Sequence, residues 1–85
     1  MTTTDVTYGQ LDKVLRALGF SSSLVQGKPP ARHYEHRQTG AFITVPPLPE
    51  HARVLEHHLV TVRVTLDGFG IADPSAFAAQ LRQAG

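Results

Sequence analysis

The sequence predicts an α+β fold in which three antiparallel strands form one sheet and helices pack on one of its faces. Three observations predict it. An aliphatic stripe with helical spacing runs from Leu11 to Leu18, two strand-like runs flank a Thr39-Gly40 turn, and a second apolar pattern lies past residue 55. The chain has 85 residues, 41% hydrophobic and 18% charged, which is enough apolar surface for one core and too little length for two.

Composition also excludes function classes. No cysteine is present, which removes disulfides, thiolate nucleophiles and thiolate zinc sites together. Met1-Thr2-Thr3-Thr4-Asp5 has neither the basic start nor the apolar run of a signal peptide, and no stretch reaches the roughly 20 apolar residues of a membrane span. A soluble, cytoplasmic protein without a membrane partner is therefore expected. Eight Lys and Arg against seven Asp and Glu leave a net charge of +1, which permits RNA as a partner without demanding it.

In chain order, Thr7 reads as the N-cap of a helix over residues 8–18, with Gln10 completing a capping box. Leu11, Val14, Leu15 and Leu18 fall on one stripe, with Asp12, Lys13 and Arg16 outside it, and Gly19 ends the helix because it is free to take positive φ. Residues 20–26 read as a Ser-rich strand. Gly27-Lys28-Pro29-Pro30 is a loop, since two prolines remove two amide donors. Strands over residues 31–38 and 41–45 follow, joined by the Thr39-Gly40 turn and stopped by Pro46-Pro47-Leu48-Pro49.

Residues 55–69 fit two periods. Val60, Val62, Val64 and Leu66 alternate with polar residues like a strand, whereas Leu55, Leu59, Val62, Leu66 and Phe69 recur like a helix. The helical pattern is the longer of the two, so length favours it. Asp73-Pro74 then supplies an N-cap and a proline for the first helical position, and Phe77, Ala78 and Leu81 mark a short helix over residues 74–83.

Histidine is the conspicuous chemical residue, with copies at 33, 36, 51, 57 and 58. His57 and His58 sit near a helix start, where one packs or caps and the other faces water; His51 reads as a solvated loop residue. His33 and His36 are three apart on a strand and point to opposite faces, so no convergent metal-ligand set is expected. No Gly-x-Ser-x-Gly elbow and no phosphate-cradling glycine loop occurs, so neither a serine nucleophile nor a nucleotide cofactor is expected.

Read in succession, several segments carry a resemblance. Tyr8-Gly9-Gln10-Leu11 through Leu18-Gly19-Phe20, His33-Tyr34-Glu35-His36, Ile43-Thr44-Val45-Pro46-Pro47, His58-Leu59-Val60-Thr61-Val62-Arg63, Leu66-Asp67 and Gly70-Ile71 resemble the HicA family of small bacterial toxins over about residues 8–72. The resemblance implies a fold like a double-stranded-RNA-binding domain, with three antiparallel strands between two helices. It also implies helix over residues 55–69, metal-independent cleavage of mRNA as the toxin of a type II toxin-antitoxin system, and silencing by a HicB-like antitoxin. One departure matters. The Gly-Ser-His tripeptide usual in the family falls on Pro29, Pro30 and Ala31, so its histidine has no counterpart here.

Strand geometry offers a substitute, because His33 projects on the same side as Ala31 only about 6.6 Å further along. On the first reading His33 is the general base for a ribose 2′-hydroxyl, with Lys28, Arg32 and Arg37 as the cations that hold RNA. The second reading is a non-catalytic RNA- or protein-binding module of the same fold, supported by the loss of the tripeptide.

Overall fold

The computed structural model describes residues 3–28 and 30–84; Met1, Thr2, Gly85 and Pro29 of the expected loop lie outside them. The architecture is α+β. Strand β1 (Thr3–Thr7) runs into helix α1 (Tyr8–Ala17), which is followed by β2 (Phe20–Val25), β3 (Ala31–His36) and β4 (Ala41–Val45). A short β5 (Arg53–Leu55) then runs into α2 (Glu56–Gly68), and α3 (Pro74–Ala84) closes the described chain.

Strands β2, β3 and β4 form the expected antiparallel sheet in that order. Each pairing is regular, with Phe20 opposite His36, Val25 opposite Ala31, Arg32 opposite Val45 and His36 opposite Ala41. The expectation of three strands alone is corrected, because β1 and β5 pair antiparallel in a second, two-stranded sheet. β5 has only three residues, β1 reads Thr-Thr-Asp-Val-Thr with a single apolar residue and so no apolar alternation, and the two pair across about fifty residues, so no local pattern announces them. The new pair is tied further by the Thr4 hydroxyl, which donates to the Val54 carbonyl at 3.0 Å.

Helix α1 starts as its sequence dictates. The Gln10 amide donates to Thr7 Oγ1 (3.2 Å), and the Thr7 amide donates to Gln10 Oε1 (2.9 Å), a reciprocal capping box. It ends at Ala17, one residue short of the expected span, with Leu18 as C-cap and Gly19 at φ +99°. Strand β2 stops at Val25 and β3 at His36, not at 26 and 38. The Gly40 amide donates to the His36 carbonyl at 2.8 Å, closing a turn that takes in Arg37 and Gln38. Residues 55–69 are helical but for their ends, where Leu55 belongs to β5 and Phe69 is the C-cap. Helix α3 starts on the Asp73 side chain, which accepts from the Ala76 amide at 2.7 Å, and its eleven residues make it as substantial as α1.

The core explains why the pieces stay together. Leu11, Val14 and Leu15 of α1 and Val62 and Leu66 of α2 are buried with Phe20, Tyr34, Ile43 and Val45 of the sheet, and α3 adds Phe77 and Leu81 from the far side of the helices. Leu18 and Leu59, on the two helical stripes, pack against it half-buried. The strand alternation of residues 60–66 fails because α2 turns Val62 and Leu66 inward and leaves Val60 and Val64 outside.

Candidate interaction face of the three-stranded sheet

Side-chain alternation divides the sheet into two faces. Ala41, Ile43 and Val45 of β4 are buried, so their partners His36, Tyr34 and Arg32 share the helix-packed side. The opposite, open face carries Ser21, Ser23 and Val25 of β2, Ala31, His33 and Glu35 of β3, and Phe42 and Thr44 of β4.

On the helix-packed side the polar groups are bound into the fold. The Tyr34 hydroxyl donates to Asp12 Oδ1 at 2.7 Å, the other carboxylate oxygen accepts from Arg16 Nε at 2.9 Å, and an Arg16 terminal nitrogen donates to Ser22 Oγ at 2.7 Å. This chain of contacts fastens α1 to β2 and β3. Burial first, and then the Asp12 carboxylate, push the Tyr34 hydroxyl up to about 12. His36 is also structural. Its Nε2 donates to the Leu18 carbonyl at 3.1 Å, its Nδ1 meets the Thr39 hydroxyl at 2.9 Å, and its ring lies 5.1 Å from that of Phe20.

His33 sits in the middle of the open face, half-buried. Its ring meets the Phe42 ring edge-on at a centroid distance of 4.7 Å, a diagonal cross-strand contact. Ser21, Ser22, Ser23 and Glu35 complete a shallow, open depression of about 270 Å³ around the pair.

The cations assigned to the same site do not join it. Arg32 alternates with His33 and lies on the helix-packed side, lining a small cavity of about 30 Å³ with Tyr8, Asp12, Tyr34 and Glu50. Lys28 is in the loop beyond Val25, and Arg37 is in the turn after His36, so they occupy opposite ends of β3, which is about 17 Å long. No model of a protein family, no curated protein and no solved structure matches the chain.

The other histidines are placed near their expected positions. His51 and His57 are exposed, while His58 is half-covered with its Nδ1 3.3 Å from the Tyr8 hydroxyl and its ring 4.2 Å from that of His57. Burial, and secondarily the neighbouring His57, lower the His58 pKa below its usual value. Among the described residues no group of three or more His, Asp or Glu side chains stands close enough to hold a metal ion, and no helix is long and apolar enough to cross a membrane.

Sequence reasoning passed over Phe42 as a surface residue. The signal was present: the Thr39-Gly40 turn fixes the β3–β4 register, which puts Phe42 opposite Glu35 and therefore on the side of His33.

Proposed function

We propose that the chain is a HicA-like domain that serves as a protein-binding module, with the open face of its three-stranded sheet as the surface that a HicB-like antitoxin covers. The succession helix, three antiparallel strands, helix over residues 8–68 supports a fold like a double-stranded-RNA-binding domain, to which β1, β5 and α3 are additions. The observation that carries the binding reading is the make-up of the open face. Phe42 is 51% exposed and Val25 41%, amid serine and threonine hydroxyls, and Glu35 and His33 are its titratable groups. An aromatic anchor rimmed by small polar groups suits a protein partner. A phosphate backbone needs converging cations, and Arg32 faces the other way.

Co-expression with the protein encoded by the adjacent reading frame tests this. A stable complex is expected, and Phe42→Asp should weaken it by at least about tenfold, as loss of a central aromatic anchor does. A complex indifferent to Phe42→Asp refutes the assigned surface, and failure to form any complex refutes the partner.

The endoribonuclease reading retains one observation in its favour, the position of His33 beside Ser21, Ser23 and Glu35 in an open depression. Incubation of the purified chain with a structured RNA in chelator decides it. Removing a general base costs about 10²- to 10⁴-fold, so cleavage by the wild type that His33→Ala abolishes would install the enzyme reading in place of the module.

A further inference from the structure

Edge strands present unpaired backbone amides and carbonyls, and proteins normally blunt them with lysine, proline, a bulge or a covering element. Strand β2 is an edge of the three-stranded sheet and has none of the first three: its sequence is Phe-Ser-Ser-Ser-Leu-Val, and it pairs with β3 residue for residue. Cover is also incomplete. Helix α1 lies over the first half, where Phe20 is buried, but Leu24 on the helix side is 52% exposed and Val25 on the open side is uncovered too. On the other edge, β4, the helix-side residues Ala41, Ile43 and Val45 are all buried and Pro46 and Pro47 follow directly.

Charge identifies what the β2 edge takes. Arg16, bonded to Ser22, and Arg37 stand at the Phe20 end, where they line a depression of about 320 Å³ with Leu18, Gly19 and Ser21; Lys28 stands just past the Val25 end. Arg16 is ion-paired with Asp12, so among the described residues the cations at the two ends without an ion pair are Arg37 and Lys28, and Glu35 lies one strand back. A second copy of the chain is a poor occupant, because antiparallel β2–β2 pairing would set Arg37 of one copy against Lys28 of the other. Single-stranded RNA would need exposed aromatics to stack on, and Phe20 is buried.

We infer that β2 accepts an extended, acidic segment of a partner protein by β-strand addition, with carboxylates at both ends of the segment and apolar residues between them lying against Leu24 and Val25. The inference rests on the protein-binding reading above and names how that partner is engaged. Main-chain hydrogen bonds supply affinity in this mode, and alternate side chains supply specificity.

The test uses the full chain, ¹⁵N-labelled, and a synthetic nine-residue peptide of alternating valine and threonine with two glutamates at each end. Amide shifts at residues 20–25 and at Arg37 are expected. Replacing the glutamates by lysines should weaken binding at least about tenfold, and N-methylating alternate peptide amides should abolish it. Leu24→Glu puts a like charge beside the glutamates of the peptide and should weaken binding at least about tenfold while leaving the melting temperature unchanged. Shifts centred on β4 or the open face, equal binding of the lysine peptide, or tighter binding of a nine-nucleotide oligouridylate at β2 would each overturn the inference. With the adjacent-frame protein, loss of the complex in Leu24→Glu supports strand addition. A complex lost in Phe42→Asp but kept in Leu24→Glu leaves the protein-binding reading standing and removes β2 from it.

Discussion

Replacing His36 by alanine takes away a ring that joins three parts of the molecule at once. The ring is 6% exposed and forms part of the wall of the depression beside Arg37. The Leu18 carbonyl at the end of α1 loses its donor and the Thr39 hydroxyl in the β3–β4 turn loses one of two partners, keeping the Ala41 amide, at a cost of about 1 kcal/mol each. The emptied space beside Phe20 adds about 1–2 kcal/mol. The sum, about 3–4 kcal/mol, is a large share of the total stability of a small domain, commonly about 5–15 kcal/mol. At about 4–8 °C per kcal/mol for a chain of this size, the melting temperature should fall by roughly 12–32 °C. Thermal unfolding followed by circular dichroism measures it, with His33→Ala as the control; that residue lies on the open face and should shift the midpoint by a few degrees at most. His36→Ala melting within about 5 °C of wild type would refute the structural role and the assignment of the two histidines to opposite faces.

The remaining predictions concern pH. Tyr34 keeps its proton up to about 12, whereas an unfolded tyrosine ionises near 10.0, so stability should be lost as pH rises from 10 to 12; Tyr34→Phe should flatten that limb when chemical denaturation is measured across it. His58 has a lowered native pKa, so below the usual 6.5 the unfolded state binds more protons and stability should fall on acidification. The same denaturation series on His58→Gln should show a shallower acid limb, and an identical limb would show that the partial burial of His58 does not hold it neutral.

Where local signals are strong, the sequence was readable. The Thr7–Gln10 capping box, the Leu11 stripe, the turn at Gly40 and the Asp73-Pro74 start each have a mechanism confined to a few residues, and each stands in the structure. Residues 55–69 were ambiguous because valine and threonine alternate over a helical stripe; only the sheet beneath decides, by burying Val62 and Leu66 and leaving Val64 62% exposed. The β1–β5 ribbon was illegible, since its partners are joined only by tertiary packing. At the candidate site, parity along β3 separated His33 from His36, but the same parity sends Arg32 away from His33, and the cation set proposed from nearness in sequence disregarded it. Nearness in sequence also cannot show that Lys28 and Arg37 lie at opposite ends of a strand.

The β1–β5 ribbon gives the molecule an order of assembly. β1 passes into α1 and β5 into α2 without an intervening loop, and because the strands are antiparallel the ribbon fixes the two helix starts at its opposite ends, α1 leaving beside Arg53 and α2 beside Thr3. Its closing contact, Thr3 against Leu55, spans most of the chain, whereas the hairpins β2–β3 and β3–β4 close over a few residues. Loop-closure entropy therefore favours the three-stranded sheet first and the ribbon last. On the ribosome the consequence is stricter. Residues 3–7 emerge ahead of residues 53–55 and have no partner until these follow, so a nascent chain halted before that point carries the hairpins and α1 with its entry strand unpaired, a state open to proteases and chaperones.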